Sequence, residues 1–165
     1  MLLKPHVKLK SITDITPKLL KMIGVDTLFL DVDNTMCIHK GEKTAEGLFE
    51  WIKSMQSADI KLIILSNAKP GRLKNFACKV DLPFVALGAK PLPFGFFAAA
   101  IKAKSKLKNS AIVGDQLFTD ILGGHLALCK TILLSPIELE TSRGFVFKRN
   151  LERKVLKLLK IESDF

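Results

Sequence analysis

The sequence predicts an α/β fold: a doubly wound, Rossmann-like parallel sheet of about five strands with helices between them. Three observations lead there. Five short apolar runs are rich in Val, Ile, Leu or Phe and nearly continuous rather than alternating, as strands covered on both faces are. Helical periodicities fill the gaps between runs, the strand–helix alternation from which right-handed parallel crossovers are built. A chain of 165 residues, 48% hydrophobic and 25% charged, is long enough for one domain with a sizeable core and too apolar for disorder.

The predicted strands are residues 27–32, 60–65, 84–87, 110–113 and 131–134. After the first, residues 44–57 place Leu48, Trp51, Ile52 and Met55 at i, i+3, i+4 and i+7, with Thr44 as N-cap. Residues 71–79 follow Pro70 and carry Leu73, Phe76 and Ala77. Residues 93–106 open on a proline at an early helical position and present Phe96, Phe97, Ala100 and Ile101. Residues 118–128 begin beside Thr119 and Asp120, which suit a first helical turn. Residues 1–24 form an N-terminal extension with a short helix at 17–22. At the other end, residues 149–161 repeat Leu151, Val155, Leu158 and Leu159 among basic residues, an amphipathic helix expected to dock on the sheet. Residues 1–165 are read as a single domain.

Composition narrows the function classes. No stretch approaches the ~20 apolar residues of a membrane span, and the longest candidate, residues 94–101, contains Gly95. The N-terminal MLLKPHVKLK lacks the apolar region of a secretory signal. Cys37, Cys78 and Cys129 are odd in number and lack metal-binding spacing, which suits thiols in a reducing compartment. A cytoplasmic location is expected, extending to the periphery of a membrane. The net charge of +10 points to an anionic partner: a phosphorylated substrate, nucleic acid or acidic lipid. A Lys-rich proteome would give the same balance.

The chemistry-bearing residues fall at predicted strand ends. Residues 28–35 read LFLDVDNT, so Asp31 and Asp33 leave the first strand two positions apart. Residues 112–120 read IVGDQLFTD, so Asp115 leaves the fourth strand and Asp120 follows about one turn later. Open α/β sheets bind ligands beyond the carboxyl ends of their strands, where strand order reverses. If the first and fourth strands are neighbours, these acids converge on one crevice and suit Mg²⁺, a hard cation that takes oxygen ligands. Ser66 and Asn67 close the second strand with a hydroxyl and an amide, both able to bond phosphate oxygens. Pro91 disfavours helix at Lys90, leaving an ammonium at the same edge. Thr35 has two readings: a hydrogen bond that fixes the loop, or a plain turn.

This order of motifs, DVDNT, LSNA, AKP and VGDQLFTD, resembles the haloacid dehalogenase-like (HAD) phosphohydrolases over residues 27–134. Its wording looks most like subfamily IIIA and the YqeG-type, phosphatidylglycerophosphatase-like branch, which extends the likeness to the terminal Arg149-Asn-Leu-Glu152-Arg153. The resemblance implies a phosphatase that works through an aspartyl-phosphate. Asp31 would be the nucleophile and Asp33 the general acid and base. Ser66 would bind phosphate, and Lys90 would steady both nucleophile and phosphoryl group. Asp115 would hold Mg²⁺ with the Asp31 carboxylate and the Asp33 main-chain carbonyl, supported by Asp120.

Many relatives insert a cap domain after the first or second motif. Here one helix and one strand already fill each interval, from Thr35 to Ser66 and from Ser66 to Lys90. An uncapped site favours a phosphate presented on a large partner or a membrane. Lys69, Arg72, Lys74 and Lys79 follow Ser66 and can steer an anion, while Lys102, Lys104, Lys106 and Lys108 read as a solvated face. Phosphatidylglycerophosphate at an anionic membrane is the expected substrate, as members of the branch imply. The alternative is a basic RNA- or ribosome-binding protein on the same fold. Transfer to an acceptor other than water is a third reading.

Overall fold

The computed structural model describes residues 2–38, 43–138 and 143–161, without the side chains of Arg143 and Phe145. Its strands are β1 (Val7–Leu9), β2 (Thr27–Leu30), β3 (Cys37–Ile38), β4 (Lys43–Thr44), β5 (Lys61–Leu65), β6 (Phe84–Val85), β7 (Ser110–Gly114) and β8 (Lys130–Leu134). Its helices are α1 (Pro17–Met22), α2 (Leu48–Ser57), α3 (Pro70–Val80), α4 (Phe94–Lys102), α5 (Leu122–Leu126) and α6 (Arg143–Leu158).

Alternation within buried strands assigns the two faces of the sheet. Leu28 and Leu30 pack with Leu62 and Ile64 under α2 and α3, where Trp51, Met55, Leu73 and Phe76 are buried. Phe29, Ile63 and Ile112 point the other way, onto Phe96, Ala99 and Ala100 of α4. With helices on both faces the strands have no solvated side, which is why their sequences run apolar without a break.

The sheet has six strands in the order β1-β8-β7-β2-β5-β6, all adjacent pairs parallel. The addition to the sequence reading is β1, which pairs Val7 with Ile132 and Leu9 with Leu134 at the edge. Three half-buried residues with Lys8 at their centre carry little strand signal of their own. Pairing supplies it. From β2 the chain runs outward through β5 to β6, then crosses back to place β7 on the other side of β2. The order therefore reverses between β2 and β7.

Element boundaries shift where local geometry outweighs periodicity. Helix α2 begins at Leu48, because Lys43 and Thr44 pair with Ile38 and Cys37 in a short hairpin. Thr44 is therefore not its N-cap, and Gly47 takes that position at φ +70°, a conformation glycine adopts without strain. Helix α4 stops at Lys102, short of residue 106. A π-helical turn over Leu117–Ile121 precedes α5, where one continuous helix was expected. Helix α6 begins at Arg143, well before residue 149. It docks as anticipated, with Leu156 buried against Leu117, Ile121 and Leu133, but Leu151 and Leu158 face solvent.

Candidate active site

Strands β2 and β7 are paired in register, Leu30 opposite Val113, so Asp31 and Asp115 leave neighbouring strands at the reversal point. The Asp31 amide extends the ladder, donating to the Val113 carbonyl at 2.9 Å. Asp120 returns to the same place because the π-helical turn folds it back, its carboxylate accepting from the Gln116 amide at 3.2 Å. Gly114 is required there: a Cβ would lie 2.3 Å from Asp120 Oδ2. The carboxylates of Asp31, Asp115 and Asp120 offer oxygens within 4.8 Å of one another, all buried.

Three acids in so little water are costly unless cations answer them. Burial raises the Asp31 carboxyl to about 6 and the Asp115 carboxyl to about 8, against Lys90 and Arg149 respectively, which pull them down. Lys90 is 6% exposed and spans two of the acids, with Nζ 2.6 Å from Asp31 Oδ1 and 2.7 Å from Asp120 Oδ1. Burial works to lower its pKa, but Asp120 and Asp31 outweigh that and hold it above the usual lysine value.

The surrounding loops set these groups in place. Asn67 donates Nδ2–H to the Lys90 carbonyl at 3.0 Å, and its Oδ1 accepts from the Lys90 amide at 2.8 Å. Both ends of the amide thus brace the Lys90 backbone, and the second Nδ2–H is left over for the phosphate oxygen that the sequence reading expected Asn67 to meet. Ser66 is buried at the end of β5, its Oγ accepting from the Ala68 amide at 3.1 Å. Asp33 stands apart from the triad: its carboxylate is partly exposed and pairs with Arg72 of α3. Thr35 serves the turn through its backbone, and its buried hydroxyl has no hydrogen-bond partner among the described residues. The plain turn reading holds.

Two residues that the sequence reading named only within the terminal Arg149–Arg153 likeness, without a role, complete the cluster. Arg149 of α6 donates Nη1–H to the Asp115 carbonyl at 2.7 Å and pairs through Nη2 with Asp115 Oδ2. Glu152 accepts from Arg149 Nη1 at 3.0 Å and from the Leu117 amide at 2.9 Å. Both are buried. The signal was present in RNLER, but the leucines suggested a different inward stripe. The face that packs is Arg149, Glu152 and Leu156, at i, i+3 and i+7.

The comparisons with known proteins follow this geometry. A family model described as mitochondrial PGP phosphatase matches residues 1–77, and a HAD-hydrolase-like model matches residues 88–135. The curated probable phosphatase YqeG of Bacillus subtilis (strain 168) is 35% identical over 158 residues, covering 94% of this chain and 91% of its own. The chain belongs to the YqeG-type HAD phosphatases. The fold agrees with solved structures of low identity. A 4-nitrophenylphosphatase from Thermotoga maritima superposes with a TM-score of 0.59 at 13% identity, covering 80% of this chain and 91% of its own. The cobalt-bound deoxy-D-mannose-octulosonate 8-phosphate phosphatase (YrbI) of Haemophilus influenzae gives 0.52 at 19%, covering 83% and 90%.

This YqeG-type phosphatase carries a donor set that fits a divalent metal. Asp31, Asp115 and Asp120 supply hard oxygen ligands, and Asp115 Oδ1 is buried with no hydrogen-bond partner among the described residues. Among those residues the stretch between β2 and β5 holds only the small hairpin and α2, and no cap covers the site.

Proposed function

We propose that the chain is a Mg²⁺-dependent phosphomonoesterase that works through an aspartyl-phosphate on a phosphate presented at an anionic membrane, with phosphatidylglycerophosphate as substrate. The observation that carries the chemistry is the buried Asp31 carboxylate held by Lys90 within a triad of acids at the open edge of the sheet.

Asp31 attacks phosphorus, forming a new P–O bond as the ester P–O bond breaks. Asp33, near the solvent, protonates the departing alkoxide and then takes a proton from water attacking the phosphoaspartate. That second displacement breaks the bond to Asp31 and releases inorganic phosphate. Lys90 and the Ser66 hydroxyl receive phosphoryl oxygens, so positive charge meets the negative charge that develops there. Asp31, Asp115 and the Asp33 carbonyl, with support from Asp120, would hold Mg²⁺, which would supply further charge neutralisation when bound.

Three features support a membrane-presented substrate. The uncapped rim admits a phosphate that projects from a surface. Helix α4, which follows the Lys90 loop, is apolar on both sides: Phe96 and Ala99 are buried, while Phe94 (68% exposed), Phe97 and Ile101 (79% exposed) share the outer face at i, i+3 and i+7, and Leu87 and Leu92 of the preceding loop are exposed as well. An exposed apolar patch of that kind marks a surface for a partner or a membrane. Charge selects the anionic membrane, because residues 60–114 contain ten lysines and arginines and one acid, Asp81. The match to a PGP phosphatase family model points the same way.

Phosphate release from phosphatidylglycerophosphate in anionic vesicles, with Mg²⁺ and with chelator, tests the reading against sugar phosphates, nucleotides and phosphopeptides. Metal-dependent release that favours the vesicles is expected. Faster turnover of a soluble metabolite would overturn the lipid assignment, and Asp31→Asn retaining activity would remove Asp31 as nucleophile.

A further inference from the structure

We propose that Arg149, steadied by Glu152, is a positioning residue for the metal-binding carboxylate of Asp115, so that α6 sets the metal affinity of the site. The inference rests on the metal-dependent reading above. Asp115 divides its carboxylate: Oδ2 pairs with the Arg149 guanidinium, while Oδ1 is buried without a hydrogen-bond partner among the described residues, in the cluster with Asp31 and Asp120. A second donor from the same guanidinium reaches the Asp115 main-chain carbonyl at 2.7 Å, fixing side chain and backbone together. A planar fork does this; a lysine ammonium reaches one point at a time.

Glu152 extends the hold to the third acid. One of its oxygens receives Arg149 at 3.0 Å, and the other receives the amide of Leu117, the first residue of the turn that carries Asp120. Two ligands that leave β7 are thereby referenced to one helix face. Partners behind metal ligands commonly tune affinity in this way.

The test is Mn²⁺ binding to the full chain, followed by electron paramagnetic resonance and calorimetry, with melting temperature recorded in parallel. Arg149→Gln is expected to weaken Mn²⁺ about 10- to 100-fold, and Arg149→Lys to recover part of the loss while keeping the charge. Leu156→Ala loosens α6 without touching Asp115, and is expected to lower the melting temperature with metal affinity within about twofold of the parent. Unchanged Mn²⁺ affinity in Arg149→Lys and Arg149→Gln, or equal losses in Leu156→Ala and Arg149→Gln, would reduce Arg149 to a packing role. A parent chain that binds no Mn²⁺ would overturn the metal-dependent reading itself, and the proposal with it.

Discussion

Asp31 and Asp115 are acids whose native pKa lies above the value of 3.8 they start from, and this fixes the sign of a pH effect. Below pH 3.8 each is protonated whether the chain is folded or not. Between there and about 6 for Asp31, or about 8 for Asp115, the native state binds a proton that the unfolded chain has released. Metal-free protein should lose stability as pH rises through those windows, by up to about 1.4 kcal/mol per pH unit for each group. A bound cation takes the place of those protons, so the rise in melting temperature on adding Mg²⁺ should grow from pH 6 to pH 8. Thermal melts with Mg²⁺ and with chelator check both trends. Gly114→Ala offers a second test, since its Cβ meets the Asp120 carboxylate at 2.3 Å. It should cost about 1–3 kcal/mol in a chemical denaturation curve and weaken metal binding as well. At this scale the places of Asp31, Asp115 and Ser66 at the sheet's edge were legible because each closes an apolar strand. Arg149 was not, because a buried arginine reads locally as a solvated charge.

Helices α4 and α6 both expose large apolar side chains, for different reasons. For α6 the apolar periodicity chose the wrong stripe, because buried charges paired with the sheet edge compete successfully with leucines for the inward face. For α4 the reading over residues 93–106 found an apolar helix, yet Phe97 and Ile101 proved to lie outside the core. Exchanging Phe94 and Phe97 together for serine should lower co-sedimentation with anionic vesicles at least about tenfold, given roughly 1.5–3 kcal/mol for each large apolar side chain removed from water. Binding that survives both exchanges would move the contact elsewhere. Strand β1 marks the opposite limit: its three residues become a strand only because β8 offers an unpaired edge.

Across the whole molecule, the order of the sheet converts distant sequence into proximity. The doubly wound class, the strand–helix alternation and the meeting of Asp31 with Asp115 all followed from apolar runs that end in acids. What no run could announce was the sixth strand or the reach of α6 across the strand ends, since both depend on surfaces that exist only after the sheet forms. The net charge of +10 gives a test at the same scale. Vesicle association should fall as salt rises from about 0.05 to about 0.5 M, where screening shortens to a few Å, and sedimentation at each salt concentration measures it.

The contact between Arg149 and Asp115 spans 34 positions of the chain. During synthesis the strands bearing the acids emerge first, and the guanidinium that answers Asp115 leaves the ribosome after all three of them. A nascent chain stopped short of α6 therefore holds its pocket with one cation missing. On the proposed role of Arg149, readiness to capture metal waits until α6 has been made and has reached the strand ends.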